Sequence, residues 1–169
     1  KKKKWYWGWS FFGKKNNKSL FGDIKKQKKF PLVEWPTLKG TKKEGLAISK
    51  IIEAELVMGK NATEEFIFKN QNPKILHIAS HSYFFNIKEM NAHPMMRSGI
   101  VLSGVNNKTN NPNNDGYLTA LDIAQMNLNG TELVTISGCE SALGKTNIGE
   151  GNFGLKRAIA ISGARSSLL

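Results

Sequence analysis

Two short runs built around aliphatic residues limit the fold of this chain more than any other feature. Ile75 to Ser80 reads I-L-H-I-A-S, and Thr131 to Ser137 reads T-E-L-V-T-I-S. The first suits a strand buried on both faces of a sheet, and the second is the clearest strand in the chain. Helical patterns stand between and after them. The alternation predicts an α/β domain with a largely parallel sheet and helices on both faces. In such folds chemistry gathers just beyond the carboxyl ends of the strands. That rule points to His81 and Cys139, each of which closely follows one of the two runs.

The remaining elements are read from caps and breakers. Thr41 followed by Glu44 has the form of a capping box, and Leu46, Ile48, Ile51 and Ile52 fall mostly on one face of a helix reaching Ala54. Leu56-Val57-Met58 reads as a short strand ended by Gly59. Ala62 to Lys69 reads as a second helix, capped by Asn61 or Thr63. Gly99 to Ser103 reads as another buried strand, and the Asn-rich stretch 106–114 as a loop. Thr119 opens a short helix through Ala124. Residues 138–151 form a glycine-punctuated loop, in which Gly138 permits close backbone approach and Glu150 fixes the loop. Phe153, Leu155, Ala158, Ile159 and Ile161 mark a last helix ended by Gly163.

Composition sets the outer limits. The 169 residues suffice for one domain with its own core. A single cysteine excludes an internal disulfide and a multi-cysteine metal cluster. No stretch of 18 uncharged apolar residues is present, so no transmembrane helix is readable. The net charge of +12 lies wholly in residues 1–50, and residues 51–169 balance to zero. Only three of the 25 basic residues are arginine, which reads as a solvated lysine-rich segment rather than a nucleic-acid footprint. No nucleic-acid partner is expected. The chain divides into a basic, aromatic-rich irregular segment, 1–37, and a folded domain, 38–169. Lys1 to Trp9 is too short and too aromatic for a signal peptide, which agrees with a cytoplasmic location. The chain lacks an initiator methionine and stops at Leu169 inside what reads as a buried strand, so it reads as part of something longer.

If the two apolar strands are parallel neighbours, His81 and Cys139 meet at one edge of the sheet. A free thiol is mostly protonated at neutral pH, and the thiolate is the nucleophile, so a nearby imidazole is the base it needs. The bland alternative is a small buried cysteine with no chemistry. His77 could share a side of the strand with His81, but a metal pair lacks a third ligand, and a structural role is the simpler reading. His93, beside Pro94, is incidental. Gly138, Gly144, Lys145 and Thr146 almost spell a phosphate-binding loop, but five residues separate the glycines instead of four, and no helix opens at Lys145-Thr146. The serine-hydrolase elbow G-x-S-x-G is absent.

The local words go further. I-L-H-I-A-S-H-S-Y-F (Ile75 to Phe84), T-E-L-V-T-I-S-G-C-E-S-A-L-G (Thr131 to Gly144) and G-E-G-N-F-G-L-K-R-A (Gly149 to Ala158) resemble the CHAT domain family. These are caspase-like cysteine peptidase domains, often joined to tetratricopeptide repeats. K-G-T-K-K-E-G-L-A-I (Lys39 to Ile48), D-G-Y-L-T-A-L-D-I (Asp115 to Ile123) and S-G-A-R-S (Ser162 to Ser166) are similar to further family segments in the same order. The resemblance implies a caspase-like three-layer α/β sandwich, here an incomplete domain. It implies His81 as general base and Cys139 as nucleophile, with backbone amides of Ser82 and Cys139 forming the oxyanion hole. Gly138 and Glu140 flank the nucleophile as a supporting loop. The family has glycine where this chain has Ser82, and if the turn needs positive φ the serine costs about 1 kcal/mol.

Three functions of different class follow. The first is a cysteine endopeptidase acting on a protein or peptide substrate, regulated by a repeat domain in cis or trans, with no cofactor and no metal. The second is a peptidase-like scaffold that binds a partner without cleaving. The third is a basic, Trp-rich anchor on anionic surfaces, whose binding would fall steeply with salt.

Overall fold

The computed structural model describes residues 30–31, 33–85, 93–107, 114–138 and 148–169, with 148–152 as helix backbone only. The two apolar runs become β1 (Ile75–Ala79) and β5 (Leu133–Ser137), paired in parallel with Ile75 opposite Leu133 and Ala79 opposite Ser137. A last strand, β6 (Ser167–Leu168), joins the far side of β5, also in parallel. The fold class is that expected, α/β with a parallel sheet and packed helices.

A second sheet was not legible in the periodicity. β2 (Ser82–Phe84), β3 (Ser98–Val101) and β4 (Tyr117–Thr119) form an antiparallel sheet in the order β2-β3-β4. β3 is the apolar run read as a strand at Gly99. Its partners are only three residues long, too short to show alternation.

Four α-helices, α1 (Lys39–Ile51), α2 (Glu64–Lys69), α3 (Ala120–Ala124) and α4 (Ile148–Ile161), and two 3-10 turns, Gly59–Asn61 and Pro94–Met96, complete the described residues. α2 begins after Thr63, whose side chain accepts from the Phe66 amide at 3.1 Å. α3 carries a full capping box, with Thr119 and Asp122 bonded reciprocally. α4 starts earlier than expected, so Glu150 lies in its first turn rather than in a loop. It ends before Gly163, which takes φ +94. None of the helices is long and apolar enough to cross a membrane among the described residues.

Three local expectations are corrected. The Thr41–Glu44 capping box does not form. Helix α1 opens at Lys39, and the Thr41 hydroxyl donates to the Leu38 carbonyl at 2.9 Å. Glu44 is engaged instead by His77, at 2.8 Å, so a tertiary partner outcompetes the local one. Leu56-Val57-Met58 pairs with no strand among the described residues and borders a cavity of about 800 Å³ beside β1. β6 is exposed rather than buried, because it has β5 on one side only among the described residues.

Burial explains how the layers hold. Leu76 and Ile78 of β1 and Val134 and Ile136 of β5 are buried, while Ile75, His77 and Ala79 are half-buried on the opposite face. β1 was expected to be buried on both faces, and its second face is only half-buried. The weaker face meets α1, which contains no buried residue. The main core joins these side chains to Ile100, Leu118, Ile123, Leu155 and Ile159. A second, aromatic cluster gathers Trp35, Tyr83, Phe85, Val101 and Tyr117, with Phe30 stacked on Tyr117 at 4.1 Å.

Candidate active site

His81 is held by both sheets. The β1–β5 ladder continues one residue beyond the strand, where the Ser80 amide donates to the Ser137 carbonyl at 3.1 Å. The next carbonyl, that of His81, accepts from the Val101 amide of β3 at 2.9 Å. The chain therefore leaves the parallel sheet and enters the antiparallel one at His81, which is only 6% exposed.

The ring is oriented by a backbone carbonyl. His81 Nε2 lies 2.7 Å from the Pro36 oxygen. A carbonyl only accepts, so Nε2 carries the hydrogen. In the neutral ring the lone pair then sits on Nδ1, the nitrogen able to take a proton. Trp35 packs beside the imidazole, with ring centroids 5.3 Å apart. Its own indole N–H donates to the Tyr117 hydroxyl at 3.1 Å.

Ser82 opens β2 with extended backbone. Positive φ outside glycine occurs only at Glu53 and Asn72 among the described residues, so the strain considered for Ser82 does not arise. The Val101-to-His81 bond makes Ser82 and Ile100 a non-hydrogen-bonded pair, and the Ser82 amide points away from β3. Gly138 lies close to that amide. A Cβ at position 138 would stand 3.5 Å from the Ser82 nitrogen and would collide with the Ser80 carbonyl oxygen. Only a glycine lets the end of β5 pass this close to the His81 turn.

The geometry thus brings His81, Ser82 and Gly138 together. Cys139 and Glu140, expected as nucleophile and flanking carboxylate, lie outside the described residues, and so does the Cys139 amide of the expected oxyanion hole. His77 turns its ring to Glu44 and not to His81. His93 uses Nδ1 to accept the Met95 amide at 3.3 Å and caps a short 3-10 turn. Among the described residues no three His, Cys, Asp or Glu side chains gather in a way that could hold a metal.

Sequence reasoning missed Pro36 and Trp35. A main-chain carbonyl leaves no signature in a sequence, and Trp35 lies in a stretch without periodicity. Both line the cavity beside β1, which His81 also borders.

Comparison with curated proteins and with solved structures finds no significant match. The CHAT domain family model matches residues 13–169, a span that contains both sheets, His81 and Gly138. The chain belongs to the CHAT domain family, whose members are caspase-like, peptidase-related domains.

Proposed function

We propose that this chain is a cysteine endopeptidase working through a His81–Cys139 dyad. The observation that carries the reading is the common end of β1 and β5. Ala79 and Ser137 are in register, His81 and Cys139 each stand two residues further on, and Gly138 passes within contact of the His81 turn. Family membership supports the same assignment.

The chemistry follows from these atoms. His81 Nδ1 takes the Cys139 thiol proton, and the sulfur attacks the carbonyl carbon of a peptide bond. The oxyanion meets the Ser82 and Cys139 amides, each worth about 3 kcal/mol to the transition state in comparable sites. The imidazolium returns its proton to the leaving amine, and water then hydrolyses the thioester. The substrate is a protein or peptide in an extended form. An attached tetratricopeptide-repeat region or partner gates the activity, and the setting is a reducing, cytoplasmic one.

The test is the alkylation rate of Cys139 against pH in the parent chain and in His81→Ala. The expected result is a thiol titrating well below the usual value of about 8.5, with that shift lost in the variant. A thiol indifferent to His81 would support the scaffold reading instead. Cleavage of any peptide substrate is expected to vanish in Cys139→Ala while the fold is kept. Turnover surviving in that variant would remove Cys139 as nucleophile.

A further inference from the structure

The residue just before the carbonyl that orients His81 is held by a side chain from a distant loop. The Trp35 amide donates to Asn106 Oδ1 at 3.1 Å, and Asn106 Nδ2 donates to the Trp35 carbonyl at 2.9 Å. One carboxamide thus brackets one residue of backbone, as a neighbouring strand would. Asn106 stands in the turn after β3, closed by the Asn107 amide on the Gly104 carbonyl at 2.8 Å.

The bracket is mechanically stiff. The Trp35 carbonyl belongs to the planar peptide that joins Trp35 to Pro36. Beyond that plane the first torsion is the φ of Pro36, which the pyrrolidine ring fixes near −65°. A single soft torsion, the ψ of Pro36, then separates the clamped plane from the oxygen that accepts from His81 Nε2. Fixing Trp35 therefore comes close to fixing the Pro36 oxygen. The indole bond to Tyr117 holds the same residue from its other end.

We infer that Asn106 is a positioning residue for His81, acting through the Trp35–Pro36 backbone to keep the hydrogen on Nε2 and the lone pair on Nδ1. The inference rests on the dyad proposed above for its consequence in catalysis, but the ring geometry it predicts exists without any substrate. Asn106 is exposed, so shortening it removes little buried surface. Its effect on the ring is in this way separable from a general loss of stability.

The experiment is nitrogen-15 NMR of the His81 ring in the full chain, alongside the pH dependence of Cys139 alkylation. Three proteins are compared: the parent, Asn106→Ala, and Asn106→Asp, which keeps the size and one acceptor but loses the donor to the Trp35 carbonyl. The parent is expected to show a single tautomer with hydrogen on Nε2. Both variants are expected to show mixed tautomers, and alkylation near neutral pH slowed on the order of tenfold to a hundredfold, the scale of a misplaced catalytic group. A parent-like tautomer in either folded variant, with only its melting temperature lowered, overturns the inference and leaves Asn106 a structural residue. Should Asn106→Ala fail to fold, Asn106→Asp decides. A disturbed tautomer with alkylation unchanged, in a parent whose thiol ignores His81, keeps Asn106 as the positioning residue and removes the dyad.

Discussion

The Tyr83 hydroxyl is buried in the aromatic cluster and finds no hydrogen-bond partner among the described residues. Burial pushes its pKa well above the ordinary 10.0, and the charges of Asp122 and Asp115 push the same way. Below that ordinary value both folded and unfolded tyrosine are neutral, and the full stability is present. Above it the unfolded chain ionises first, so stability is lost as pH rises towards the folded pKa. Tyr117 shifts in the same direction through burial, opposed by the bond from Trp35. Replacing Tyr83 by Phe is expected to stabilise the domain by about 1 kcal/mol at neutral pH, since it removes an orphan hydroxyl. It should also flatten the alkaline loss, as urea melts on either side of the tyrosine pKa would show. Gly138 carries the opposite prediction. An Ala there meets the Ser80 carbonyl, so Gly138→Ala should cost about 1 to 3 kcal/mol and disturb Cys139 alkylation together with thermal stability. His81 was legible because it follows a strand that the sequence announces. Pro36 and Asn106 were not, because one acts through its backbone and the other is one asparagine among many in a loop, singled out only by a contact with Trp35, 71 residues away in sequence.

At the scale of elements, two threonines that look alike in sequence do different work. Thr63 caps α2 by accepting the Phe66 amide, and Thr63→Ala should cost about 1 kcal/mol. Thr41 sits inside α1 with its hydroxyl on the Leu38 carbonyl, and Thr41→Ala should stay within about 0.5 kcal/mol. Equal costs in chemical denaturation would restore the capping box that the structure lacks. The same contrast explains which elements could be read in advance. β1, β5 and α4 announce themselves through the aliphatic residues that burial requires of them, Leu76, Ile78, Val134, Ile136, Leu155 and Ile159. β2 and β4 are strands only because β3 lies between them, and three residues cannot carry a period. Leu56 to Met58 has strand-like residues, but a strand also needs a partner, and composition does not supply one.

For the molecule as a whole, the two core clusters are not independent. β3 sends Ile100 into the main core and Val101 into the aromatic cluster. Trp35→Ala empties a large site in the second cluster and is expected to cost about 3 to 5 kcal/mol. Because the clusters share β3, the loss should appear as one lowered transition, with near- and far-ultraviolet circular dichroism melting together. Two separated transitions would mean that the aromatic cluster folds by itself. The same sharing sets the behaviour of the crossing point between the sheets. Ser80 is tied to one sheet and the His81 carbonyl to the other, so the imidazole takes its direction from the angle between them, as a hinge pin takes its line from both leaves. A shear of one sheet against the other reaches His81 without any group touching it. Deuterium uptake at the amides of Ser80 and Val101, followed side by side, registers that shear as a shared rate before any bond in a substrate is broken.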